Sequence, residues 1–284
     1  MLLSFRARML LPLLVVLVAA VGYPLGYSLW LSLTDAKITA LDTIRFVGVH
    51  NYADLFRDSQ YWDAMRVTFT FVVAAVAIEL LLGLCIALAL QQQRFARNLT
   101  RSFLLSPMFI TPIAVGLMFR FMLNQQLGII PTTLARFGLS YDFFGSGKAL
   151  WSIVLIDVWQ WTPFVVLLLL AGLEGLPKQP FEAARIDGAS VLYTFRRITL
   201  PLLIPVITVA VLIRGLDALK IFEYVYAITR GGPGTQTQTM QYLVYNTGIT
   251  YFRLGSGAAM AYGLLVIVLI AVVVLFRRVE KGRK

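Results

Sequence analysis

Polar and charged side chains set inside apolar stretches mark where this sequence can do chemistry. Asp157, Gln160 and Thr162 interleave with Trp159 and Trp161, just ahead of Pro163. Carboxylate, amide and hydroxyl groups beside indole faces suit hydrogen bonding and stacking to a sugar-like solute; the competing reading is packing between helices. Arg214, Asp217, Lys220 and Glu223 recur at three-residue spacing, so alternating charges can pair along one side of a helix. Facing lipid they would be uncompensated, so that side is predicted to face a polar pathway or a partner subunit. Glu79 stands alone in its apolar stretch and reads equally as a helix-to-helix hydrogen bond or a cavity residue. Tyr242, Tyr245 and Asn246 are further candidates for the path.

Catalysis is not what these residues predict. No nucleophile has a paired base, His50 is the only histidine and Cys85 the only cysteine, so neither an enzyme, a metal site nor an internal disulfide is expected. The glycine-rich run Gly231-Gly232-Pro233-Gly234 lacks the Lys-Ser/Thr of a phosphate-binding loop, and no Walker motif occurs. The chain is therefore predicted to carry no cofactor and to bind no ATP itself.

The elements that must position these groups are membrane spans. Of 284 residues, 59% are hydrophobic and 14% charged, and the apolar residues gather in blocks long enough to cross a bilayer core of about 30 Å. Six helices are predicted, at about 9–33, 67–90, 103–123, 150–172, 201–222 and 257–276, in one all-α membrane domain covering 1–284. The first is too long for a secretory signal and is read as retained. Cys85, inside the second block, is read as a packing residue.

Six spans put both termini on one side. Segments 1–8, 91–102, 173–200 and 277–284 carry fourteen Lys and Arg in 56 positions, against eight in 93 for the opposite segments. Arg94, Arg97 and Arg101 make 91–102 the clearest indicator. By the positive-inside tendency the termini are predicted cytoplasmic, and the net charge of +11 reads as membrane topology rather than nucleic-acid binding.

The longest segment on that side, 173–200, is more than a connector. Pro180 suits a first helical position, Glu182 favours the positive dipole end, Gly188 turns the chain and Ser190 can cap a second helix running into the fifth span. Glu182-Ala183-Ala184, Asp187-Gly188-Ala189 and Phe195, Ile198, Leu200-Pro201 resemble the EAA loop of binding-protein-dependent ABC importer permeases. Tyr23-Pro24 with Ser28–Leu33, Val47–Tyr52 and Thr229–Gly234 narrow the resemblance to the carbohydrate-uptake branch, the trehalose, maltose and glycerol-phosphate type.

That resemblance implies a type I importer (MetI-like) fold in a prokaryotic inner membrane. It implies a non-catalytic permease subunit whose Glu182, Ala183, Ala184, Arg185, Asp187 and Gly188 dock on a cytoplasmic ATPase that binds ATP and Mg. It further implies a second permease, two ATPase subunits and an external solute-binding protein, reached here by Gly231, Gly232 and Pro233 unless these form a plain turn. Asp157, Trp159, Gln160, Trp161, Arg214, Asp217, Lys220 and Asn246 become the tentative path of a carbohydrate that moves by alternating access. Disaccharides, polyols and glycerol-phosphate-like solutes all stay open as cargo. An ion-gradient-driven secondary transporter is the alternative: it would use the membrane charges as a relay but gives the 173–200 loop no purpose.

Overall fold

A computed structural model describes the backbone of residues 5–93 and 97–281 and the side chains of 9–93 and 99–273. Arg94 and the side chain of Arg97 lie outside it. Among the described residues helices dominate, joined by turns and loops, and the one extended pairing is the bridge from Thr34 to Phe46. By its contacts it divides into two compact units, Met1–Asp63 with Leu243–Val273, and Ala64–Tyr242 with Val274–Lys284.

In the first unit, α1 (Phe5–Leu17) runs through a π turn (Val18–Gly22) into α2 (Tyr23–Ser32). Of its apolar stretch Met9–Ser32 only the last residue, Ser32, is buried, as suits a helix clothed by lipid. A short helix, α3 (His50–Arg57), follows, and its residue Asn51 donates from Nδ2 to the Ser32 and Thr34 carbonyls, both at 2.8 Å. His50 pairs with Asp54 at 3.4 Å in an exposed position, in keeping with a surface role.

The long helix α4 (Ser59–Gln92) carries the chain into the second unit. Next come α5 (Arg97–Leu105), α6 (Pro112–Met122) and the short α7 (Ile129–Arg136), then α8 (Ala149–Glu174). Beyond α8 are α9 (Gln179–Ile186) and α10 (Val191–Thr194), which continues through a π turn (Phe195–Thr199) into α11 (Leu200–Ala218). The last helices are α12 (Met240–Tyr245) and α13 (Leu254–Lys281).

The central helix of the second unit is α8, with 67% of its apolar stretch buried against 33% for α4 and 22% for the α10–α11 stretch. Apolar on every side, it belongs in an interior. Phe71, Ala75, Val115, Ile153, Ile156 and Val225 pack together toward one end of α8, and Ala87, Val165, Leu169, Leu173 and Leu203 toward the other. Small residues let the backbones close up: a Cβ on Gly83 would sit 2.7 Å from Val165, and one on Gly172 would sit 2.9 Å from Val206.

Five of the expected spans correspond to long helices; three have ends moved by no more than about three residues, while the second begins at Ser59, well ahead of the expected 67. The fifth is displaced: it begins at Val191 and stops at Ala218, short of 222. The third is not one straight helix. Leu99–Phe109 and Pro112–Met122 meet at 91°. The proline ring of Pro112 disfavours helical backbone in the residue before it, and Thr111 and Ile110 are both extended, with ψ 138° and 137°. Cys85 is exposed on α4 rather than packed.

Candidate functional site

The break between α5 and α6 frees a carbonyl that must find a donor inside the membrane. Gln160 of α8, fully buried, supplies it: its Nε2 donates to the Ile110 carbonyl at 2.6 Å while its Oε1 accepts from the Tyr224 hydroxyl. Gln160 is thus a brace for bent backbone. Further along, Arg120 donates to the Ala227 carbonyl at 3.0 Å, and Gly116 gives α6 close approach to Ala227. The half-helix is held against the π turn Val225–Thr229.

One turn away lies a buried charge cluster centred on Arg214. Its Nε and one terminal nitrogen grip both oxygens of Glu79, at 2.7 and 2.8 Å. The same terminal nitrogen reaches Asp157 at 2.5 Å, and the other terminal nitrogen reaches Asp217 at 2.8 Å. The side chains of Arg214, Glu79 and Asp157 are at most 5% exposed, whereas Asp217 is 49% exposed. The Trp161 ring covers the guanidinium, centroid 5.3 Å away. Glu79 on α4, Asp157 on α8 and Arg214 on α11 therefore tie three helices together. Of the two readings open for Glu79, the pairing between helices is the one observed.

On the open side of this cluster is a cavity of about 170 Å³ lined by Pro112, Asp157, Trp161, Arg214, Asp217, Ala218, Lys220, Ile221, Glu223 and Tyr224. Helical spacing explains who reaches it. Asp157 and Trp161, four residues apart, share one face of α8, and Asp217 and Ala218 lie three and four residues beyond Arg214 on α11. Trp159 is turned away from that face and packs edge-on to Phe119 at 5.3 Å. Thr162 is buried, its hydroxyl unpartnered among the described residues. Asn246 belongs to the first unit, where its Oδ1 accepts from Thr250. Of the eight expected path residues, the structure gathers Asp157, Trp161, Arg214, Asp217 and Lys220, and leaves Trp159, Gln160 and Asn246 off the cavity wall. Tyr224 and Pro112 were missed by sequence reasoning, though Thr111-Pro112 carries a signal for the break that puts Pro112 at the start of α6.

The second candidate region is the elbow formed by α9 and α10. Pro180 lies in the first turn of α9 with Glu182 beside it. The helix ends in a hydrogen-bonded glycine cap: Ala189 N–H donates to the Ala184 carbonyl at 2.9 Å, Gly188 N–H to the Arg185 carbonyl at 3.3 Å, and Gly188 takes a left-handed φ of 67°. Ser190 Oγ then accepts from Tyr193 N–H at 3.2 Å, capping α10. Glu182, Ala183, Arg185 and Asp187 are exposed and Ala184 is buried. Ile186 and Val191, flanking the turn, are each 87% exposed. A groove of about 610 Å³ runs between the two helices, lined by Ala183, Ala184, Asp187, Tyr193 and Arg197 among others.

In the glycine loop, Thr237 knits the backbone, its hydroxyl donating to the Gly232 carbonyl at 2.8 Å. Gly231 is buried and Gly232 and Pro233 are half-buried; the exposed tip is Gly234–Gln236.

Residues 79–281 match the family described as binding-protein-dependent transport system inner membrane component. The chain is 37% identical over 265 residues to the trehalose/maltose transport system permease protein MalF of Thermococcus litoralis, covering 92% of this chain and 88% of that protein. It is 32% identical over 283 residues to the sn-glycerol-3-phosphate transport system permease protein UgpA of Escherichia coli, covering 97% and 96%. Its fold is similar to a chain of a bacterial ABC transporter involved in the import of the acidic polysaccharide alginate, with TM-score 0.84 at 21% identity, covering 98% and 95%. None of these offers support for the secondary-transporter alternative.

Proposed function

This chain belongs to the family of binding-protein-dependent transport system inner membrane components, and from that membership we propose that it is a sugar importer's permease subunit, powered through the α9–α10 elbow. The cargo is a sugar or sugar derivative, in line with the similarity to a trehalose/maltose permease over 92% of this chain. Its path passes the cavity of Asp157, Trp161, Arg214, Asp217 and Lys220, where carboxylates and an indole offer hydrogen bonds and a stacking face. The subunit itself catalyses nothing; ATP and Mg belong to cytoplasmic ATPase partners. A second permease completes the pathway, and a solute-binding protein delivers cargo on the opposite side, where the Gly231–Gly234 loop lies.

The observation that carries the coupling role is the exposed apolar rim of the elbow. Ile186 and Val191 at 87% exposure, with Leu192 and Tyr193 beside them, flank a helix turn fixed by backbone hydrogen bonds. A rigid element that leaves such side chains uncovered offers a surface for a protein partner. In alternating access, ATP-driven closure of the ATPase pair pushes this elbow, and α10 transmits the push without a break in helix into α11 and Arg214.

Cysteine labelling tests the arrangement. With Cys85 replaced by Ser, Val191→Cys is expected to react with a membrane-impermeant maleimide only after the cytoplasmic face is opened, and to be shielded when the ATPase subunit is co-expressed. Labelling of intact cells from outside refutes both the orientation and the coupling role.

A further inference from the structure

We propose that the cavity selects against negatively charged cargo, so that the transported sugar is neutral or cationic rather than phosphorylated, sulfonated or uronic. The inference rests on the reading of this cavity as the sugar path. It separates two cargo classes that the relatives' names leave side by side, trehalose/maltose and sn-glycerol-3-phosphate.

The argument is a charge count at named positions. Arg214 is the only cation buried in the wall, and it is already committed: Glu79 takes two of its hydrogen bonds, Asp157 and Asp217 one each. What remains toward the opening is Asp157, Asp217 and Glu223 against Lys220. Counting Glu79 behind them, four carboxylates face two cations, and the balance stays negative even if one buried carboxylate holds a proton. Helix dipoles do not reverse it, because the cavity meets α6 at its positive end, Pro112, and α11 at its negative end, Ala218. The Ala114 and Val115 N–H groups already return to the Thr111 carbonyl, so the start of α6 has few donors left for an anion. Carboxylates accept from sugar hydroxyls, and Trp161 and Tyr224 supply ring faces; a phosphate or sulfonate entering the same space meets repulsion with no free guanidinium to answer it.

Equilibrium binding of radiolabelled trehalose and maltose is to be compared with that of trehalose 6-phosphate and maltobionate. The assembled transporter, in lipid nanodiscs and without its binding protein, isolates the membrane path from the upstream filter. The neutral sugars are expected to bind on the order of tenfold more tightly than their anionic counterparts, the scale of one net unit charge about 10 Å away in a protein-like dielectric. Glu223→Lys, at an exposed position on the rim, is expected to narrow that ratio, and so is high salt. Equal or tighter binding of the anionic sugars overturns the inference and leaves the sugar reading intact. A ratio unmoved by Glu223→Lys also overturns it, by taking the discrimination away from this cavity. Failure of all four sugars to bind overturns the sugar reading of the cavity and this inference with it.

Discussion

Replacing Arg214 with Met tests the buried cluster most directly. The guanidinium makes four charge-assisted hydrogen bonds of 2.5 to 2.8 Å, and its loss strands Glu79 and Asp157, both shielded from solvent. Removing one partner of a buried ion pair costs about 3–5 kcal/mol, chiefly because the survivor is left charged and unpaired. Arg214→Met should fall at the upper end of that range. Asp157→Asn should cost about 1 kcal/mol or less, since the amide oxygen can still accept from Arg214 and one excess negative charge leaves the interior. The charge-free combination Glu79→Met, Asp157→Asn and Arg214→Met should recover at least half of the single-variant loss. Unfolding of the purified chain in mixed micelles titrated with sodium dodecyl sulfate, followed by tryptophan fluorescence, measures all three. If Asp157→Asn proves as damaging as Arg214→Met, the cluster is not oversupplied with carboxylates, and the reasoning from charge balance fails.

Gln160→Leu should destabilise by on the order of 2 kcal/mol in the same assay, because it leaves the Ile110 carbonyl without this donor and takes away the acceptor of the Tyr224 hydroxyl proton; Tyr224→Phe should cost less. At Gly188 an added Cβ meets nothing within 4 Å among the described residues, so Gly188→Ala should cost only about 1 kcal/mol for its left-handed backbone. Gly188→Trp should keep the chain folded yet lower sugar transported per ATP hydrolysed in proteoliposomes. Unchanged uptake by that variant would remove the elbow from the coupling route.

How much of this was legible in the sequence follows from the range over which each signal acts. Five spans were legible because hydropathy is additive along a helix. The elbow was legible to within a residue, since Pro180, Glu182, Gly188 and Ser190 each act within one turn of their own position and all point to the same local structure, with the first helix starting at Gln179 rather than Pro180. The 91° break was not, because a window average blurs Ile110-Thr111-Pro112 into its apolar neighbours. The constraint Pro112 puts on the residue before it was nevertheless present and would have divided the span.

The charge cluster shows where local reasoning stops and what can replace it. Three-residue spacing put Arg214, Asp217, Lys220 and Glu223 on one side of a helix, and only the first of those pairings is made there, because α11 ends at Ala218. The partners that matter for Arg214 come from 135 and 57 residues away, beyond any periodicity. An elimination argument would have reached them: a cation that cannot face lipid needs carboxylates from other spans, and in α4 and α8 the apolar interiors offer Glu79 and Asp157. The same elimination explains Gln160. A buried amide in a central helix must spend both its donor and its acceptor, and the break in its neighbour is what makes such spending available. Trp159 and Trp161 were indistinguishable by type, and only their positions two residues apart on α8 separate a packing ring from one that covers the Arg214 guanidinium.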